Sequence, residues 1–239
     1  MENNFIQKKK APDGTLAERL DRHFYNLMEK LPKLDDGVEW LLPLKELPET
    51  AKISRLFLQK YYSDQGPRTL ILGINPGRFG AGLTNVAFTD PYYLETECGI
   101  ESSFPKKKEL SAIFIWQMIN AFGGAEKFNR RFFINSVVPF GFVKDGKNYN
   151  YYDDKKLQST MEPLIKYHFE KLLELGMGNK VCFCLGQGKN FKYLSKLNKK
   201  EGYFEKVVPL AHPRFIMQYR RKKVGEYVEG YLEAFLNEN

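Results

Sequence analysis

The sequence predicts an α/β protein of three αβα layers around a central four-stranded parallel sheet. Four short, almost wholly apolar runs recur along the chain, and the segments between them carry apolar residues at helical spacing. Strands alternating with helices imply right-handed crossovers and a parallel sheet covered on both faces. The polar residues that interrupt the pattern sit just beyond the carboxyl ends of those runs, where such sheets gather their functional groups.

Residues 1–14, ending in Pro12-Asp13-Gly14, read as a flexible tail, and residues 15–239 as one domain. From Thr15, a natural N-cap, Leu16, Leu20, Phe24, Leu27, Met28 and Leu31 mark a helix that Pro32 stops. Pro43 and Pro48 lead into a short helix over residues 49–62. Residues 69–74 are the first buried strand, broken at Asn75-Pro76-Gly77. Residues 107–122 form a helix apolar on nearly every side, closed by Gly123-Gly124. Residues 132–138 are the second strand, ended by Pro139, and an amphipathic helix through Leu157, Met161, Leu164 and Leu172 follows. Residues 180–186 are the third strand, then come a short helix and a fourth strand over residues 206–210. A last helix carries Val224, Tyr227, Tyr231 and Phe235.

Composition narrows the classes. The 239 residues include 37 Lys and Arg against 29 Asp and Glu, a net charge of +8, with 43% hydrophobic and 15% aromatic residues. That excludes a disordered or collagen-like chain and suits an anionic partner. Three cysteines make no disulfide framework. The longest stretch free of charge, residues 110–125, is too short for a membrane span, and the N-terminal MENNFIQKKK lacks the apolar core of a secretory signal. A soluble, cytoplasmic monomer is expected, associated with the nucleoid in a bacterial cell.

Three strand ends carry groups suited to a planar ligand: Asn75, Asn135 and His212. Singly, Asn75 suits a turn, Asn135 the local backbone, and His212 a loop. A parallel sheet brings all three to one rim. The glycine-rich stretch after Asn75 lets backbone N–H groups approach a ligand, but it lacks the Gly-Lys-Ser/Thr of a phosphate loop and the Gly-x-Gly-x-x-Gly of a dinucleotide site. Phe79 and Phe88 within it offer flat faces that a nucleobase uses and a phosphate does not.

Residues 73–88, GINPGRFGAGLTNVAF, resemble the first motif of the uracil-DNA glycosylase superfamily, most closely its single-strand-selective monofunctional branch. Phe133-Ile134-Asn135 is similar to that branch's base-reading strand, and His212-Pro213 to the start of its last motif. The resemblance runs over roughly residues 69–225. It implies the glycosylase-like fold and a monofunctional DNA glycosylase of base-excision repair, which flips uracil out of DNA and hydrolyses its N-glycosidic bond without a cofactor. By residue, Asn75 orients the attacking water and His212 stabilises the leaving base anion. Phe88 stacks on the base, Asn135 pairs with its Watson–Crick edge, and Ile74 and Phe79 complete the pocket. Gly77, near the base 5-position, leaves room for 5-substituted uracils. No lysine is placed for Schiff-base chemistry.

Two departures stand out. Arg78 replaces the branch's Pro, and His212-Pro213-Arg214-Phe215-Ile216-Met217 replaces His-Pro-Ser-Pro-Arg. Arg214, Phe215 or Met217 is therefore expected to be the wedge that fills the gap behind a flipped nucleotide. Arg220, Arg221, Lys222 and Lys223 are expected to open the last helix beside the pocket and to bind phosphates. Lys8–Lys10 and Lys106–Lys108 read as solvated faces. Three cysteines are too few for the iron–sulfur cluster of some branches. His23 and His168 lie in helices without metal spacing, so no metal is expected. Two alternatives remain: a glycosylase for deaminated purines such as xanthine or hypoxanthine, and a non-catalytic damaged-DNA-binding module.

Overall fold

The structure is a computed structural model that describes residues 13–238. Most of the expected tail, and Lys8–Lys10 with it, lies outside the described residues. Its last two positions are tied down: Asp13 accepts from Arg22 Nη2 at 2.6 Å, and Gly14 from Gln65 Nε2 at 2.8 Å. Thr15 caps α1 (Leu16–Met28) in a reciprocal box with Glu18. The helix ends before Leu31 and Pro32, having buried Leu16, Leu20, Phe24 and Leu27.

After β1 (Val38–Leu41) come α2 (Pro43–Glu46) and α3 (Pro48–Tyr62), and β2 (Arg68–Gly73) enters the core. Arg68 is fully buried. Its guanidinium is paired with both Asp64 oxygens at 2.8 and 2.9 Å and also donates to the Asn129 and Gly66 carbonyls, so its charge is compensated. The motif stretch carries two short helices, α4 (Ala81–Thr84) and α5 (Pro91–Thr96). The apolar α6 (Leu110–Phe122) starts after the exposed Lys106–Lys108. Next come α7 (Ala125–Arg131), β3 (Phe132–Ser136), β4 (Gly141–Lys144), β5 (Lys147–Tyr149) and α8 (Lys155–Glu174). They are followed by β6 (Met177–Leu185), α9 (Lys189–Glu201), β7 (Lys206–Leu210), α10 (Pro213–Tyr219) and α11 (Val224–Asn237).

The main sheet is parallel, in the order β3-β2-β6-β7, with Ile71 of β2 level with Ile134 and Phe183 of its neighbours. Both faces are covered. Phe132 packs on Phe235 of α11 at 4.6 Å between ring centroids, whereas the next residue, Phe133, meets Tyr62 of α3 edge-on at 5.3 Å. The predicted αβα architecture is the one observed.

A second sheet, antiparallel in the order β1-β4-β5, was not expected. Its hairpin turns at Asp145-Gly146, both with positive φ (49° and 66°), the geometry of a two-residue hairpin turn. α10 was not expected either. Arg221–Lys223 form a 3-10 turn between α10 and α11 rather than the first turn of the last helix. Cys98, Cys182 and Cys184 are buried free thiols. Among the described residues no cluster of His, Cys, Asp and Glu is arranged to hold a metal ion, and no helix is long and apolar enough to cross a membrane.

Candidate active site

The carboxyl ends of the parallel strands open into one cleft of about 1040 Å³. Ile74, Asn75, Gly77, Phe79 and Phe88 reach it from the stretch after β2, and His212, Arg214 and Phe215 from the end of β7 and α10.

Asn75 is held at both ends of its amide. Nδ2 donates to the Tyr149 carbonyl at 3.0 Å, and Oδ1 accepts from the Tyr151 N–H at 3.1 Å. These bonds fix which end is oxygen and leave Oδ1 a second lone pair. Phe88 has φ of 52°, unusual for a bulky residue and therefore imposed by its surroundings. Its ring lies so close over Gly73 that a Cβ there would meet it at 2.9 Å, and its centroid is 6.0 Å from that of His212.

His212 Nδ1 accepts from the Arg214 N–H at 3.2 Å, so in the neutral ring the proton sits on Nε2. Burial, with the Arg214 charge beside it, pulls the imidazole down to about 4 and keeps it neutral at neutral pH. Tyr231 of α11 anchors this segment by donating its hydroxyl to the Ala211 carbonyl.

Asn135 does not line the cleft. It is buried and faces a smaller cavity of about 50 Å³ behind it, which shares Pro76, Ala81, Ala87 and Ser136 with the cleft wall. Asn135 Oδ1 accepts from the Ser136 N–H at 2.7 Å, and Nδ2 has no hydrogen-bond partner among the described residues. Its donor is therefore free and its orientation set.

Three further expected placements are corrected. Met217 is 5% exposed and packs in the core, so it is no wedge as the chain stands. Arg220, Arg221 and Lys222 are exposed on the turn before α11, outside the cleft lining. The basic groups that do line it are Arg78, Lys107, Lys108, Lys147, Lys189 and Arg214, so part of a run read as solvated faces the site.

Sequence reasoning also missed four organising residues. Glu109 is the one carboxylate in the cleft lining. Burial, and after it the nearby Asp90 charge, raises its pKa, with Arg214 and the Phe79 N–H pulling the other way. Asp90 joins two helix starts, accepting from the N–H groups of Tyr93 at 3.0 Å and Glu109 at 2.7 Å. Asn148 fixes the hairpin to the motif: its Oδ1 accepts from Arg78 N at 3.1 Å and Nε at 3.2 Å, while Arg78 Nη1 donates to the Gly146 carbonyl. Asn190 ties the ends of β2 and β6 by donating to the Gly73 and Leu185 carbonyls, and receives the Tyr151 hydroxyl at 2.8 Å.

The family model of the uracil DNA glycosylase superfamily matches residues 59–236, a span that contains every one of these strand ends. The chain belongs to the uracil DNA glycosylase superfamily. Its members are DNA glycosylases, hydrolases that act on DNA. Within the superfamily, the crystal structure of wild-type SMUG2 from Pedobacter heparinus is 44% identical, with a TM-score of 0.90. The match covers 94% of this chain and 99% of that one, and supports the SMUG branch of the superfamily for this chain. No curated protein matches the chain.

Proposed function

We propose that this chain is a monofunctional glycosylase that excises uracil from DNA, acting on a nucleotide flipped into the cleft. The observation that carries the reading is the convergence of Asn75, Phe88 and His212 on a cleft lined by six basic residues and one acid. The basic lining suits a phosphodiester. With the nucleotide flipped, Phe88 stacks on the base. Arg214 or Phe215, both exposed on α10, fills the vacated gap.

The bond breaks towards an oxocarbenium-like sugar and a base anion. His212 Nε2–H is the donor aimed at that anion, and a neutral imidazole with a fixed tautomer gives it without losing a proton. Asn75 cannot act as a base. Its spare Oδ1 lone pair instead orients the water that attacks the sugar carbon.

Asn135 accounts for base choice: the cavity it faces shares Pro76, Ala81, Ala87 and Ser136 with the cleft, and a base seated across that shared wall meets its amide. Uracil presents N3–H and O4, a donor and an acceptor that match Oδ1 and Nδ2 in the orientation set by Ser136. Cytosine presents the reverse pattern, and the amide cannot turn over without breaking its bond to the Ser136 N–H. Hypoxanthine and xanthine present the same donor and acceptor as uracil along this edge. That match favours deaminated purines as a second substrate class.

The test is incubation with an oligonucleotide carrying one uracil, followed by alkali, beside parallel strands bearing hypoxanthine and cytosine. Strand cleavage at uracil and none at cytosine is expected; no cleavage at uracil refutes the proposal. Asn75→Ala is expected to slow single-turnover release at least about a hundredfold. Its affinity for an abasic product should stay near that of the parent.

A further inference from the structure

Large exposed apolar side chains are few among the described residues, and those that are aromatic share one location. Phe79 at 42%, Phe215 at 41% and Tyr219 at 61% exposure all line the cleft. Phe79 stands on the motif loop with the Lys107 ammonium 4.7 Å and the Arg78 guanidinium 5.1 Å from its ring centroid. On α10, Tyr219 leans on Phe215 with centroids 5.7 Å apart, and Arg220 lies 5.5 Å from the Phe215 ring. The mechanism uses neither Phe79 nor Tyr219.

Open aromatic faces interleaved with cations match one kind of partner: flat apolar bases strung on a phosphodiester. In a duplex the base faces are covered by their neighbours and only an unpaired strand offers them. We propose that Phe79 and Tyr219 are stacking platforms for unpaired bases beside the flipped nucleotide, so that the cleft grips a single DNA strand by its bases as well as its phosphates. The proposal rests on the reading of the cleft as a DNA site. An exposed ammonium over an aromatic ring is worth about two- to fivefold in affinity, whereas a stacked base is worth roughly five- to a hundredfold. A base therefore displaces Lys107 from the Phe79 face, and the freed ammonium reaches a phosphate.

The test compares two short single strands of equal length and charge, one of ordinary deoxynucleotides without uracil and one of propanediol phosphate spacers that carry neither base nor sugar, by fluorescence anisotropy. The protein should bind the ordinary strand at least about fivefold more tightly. Phe79→Ala with Tyr219→Ala should remove that preference and leave affinity for the spacer strand unchanged, while Phe79→Trp with Tyr219→Trp retains it. A thermal melt checks that the variants fold. Equal binding of both strands by the parent protein, or a preference that survives the double alanine change, overturns the proposal. No base is released in this assay, so loss of the glycosylase reading and loss of the stacking proposal give separate results.

Discussion

His212 is where one residue's environment sets the chemistry. An exposed histidine titrates near 6.5 and is part-charged in the cell, but burial and Arg214 pull this one to about 4. The sign follows: the ring takes up a proton only as pH falls towards 4, so no rate change belongs to it near 6.5. Single-turnover uracil release should be flat across about pH 5.5 to 8.5, and His212→Ala should lower it by on the order of a hundred- to a thousandfold. A rate that changes steeply through pH 6.5 in the parent and not in the variant would place the working imidazole in the wrong charge state. The resemblance to a known motif named His212, Asn75 and Phe88 as candidates, and the structure brings them to one cleft. It could not show which end of each amide is free. That depends on Tyr149, Tyr151 and Ser136, whose backbone groups carry no side-chain signature. Asn135, expected on the rim, lies behind it because β3 turns it inward.

At the scale of elements, Arg78 joins two pieces of structure. It sits where the branch's usual Pro offers neither N–H nor cation, and through Asn148 and Gly146 it fastens the β4–β5 hairpin onto the motif loop. The same hairpin supplies the Tyr149 carbonyl that holds Asn75. Arg78→Ala is expected to speed amide exchange over residues 141–149 and to raise KM for uracil-containing DNA several-fold, with a stability loss of about 1 kcal/mol. Unchanged exchange in the hairpin would show that the clamp is dispensable. The four parallel strands were legible because each reads as a short, almost wholly apolar run, buried on both faces in β2, in β3 and in the second half of β6. The small sheet was not. β1, β4 and β5 are three or four residues long, half-exposed and without strict alternation. Asp145-Gly146, a strong short-range hairpin signal, was the one cue that would have found it. α10 was hidden for a related reason. Its buried Ile216 and Met217 lie beside exposed Phe215 and Tyr219, a pattern that shows no apolar stripe in sequence.

The whole molecule carries its histidines as neutral groups, and that shapes its response to acid. His23 of α1 and His168 of α8, far apart in the chain, meet in the interior with Nε2 and Nδ1 2.8 Å apart, one donating and the other accepting. Burial, then the Lys171 charge, lowers His23 to about 4; burial, then His23, lowers His168 further below its usual value. With His212, three imidazoles stay unprotonated in the fold at pH values where the unfolded chain protonates them. Above about pH 6.5 both states are neutral and the groups have no pH effect on stability. Below it the unfolded state binds protons the folded state refuses, so stability falls as pH drops from about 6.5 towards 4, by up to about 4 kcal/mol per pH unit for three such groups. Asp90 and Glu109, whose burial raises their pKa values, act in the opposite direction but only near the carboxylate range. Urea denaturation at neutral pH and at about pH 5 should therefore show a large drop in the acid midpoint. Replacing the interior pair by His23→Gln with His168→Gln should flatten that dependence even if it lowers stability throughout. A parent protein equally stable at both pH values would mean that the pair takes up its proton inside the fold, and that the contact between α1 and α8 opens to water far more readily than its packing allows.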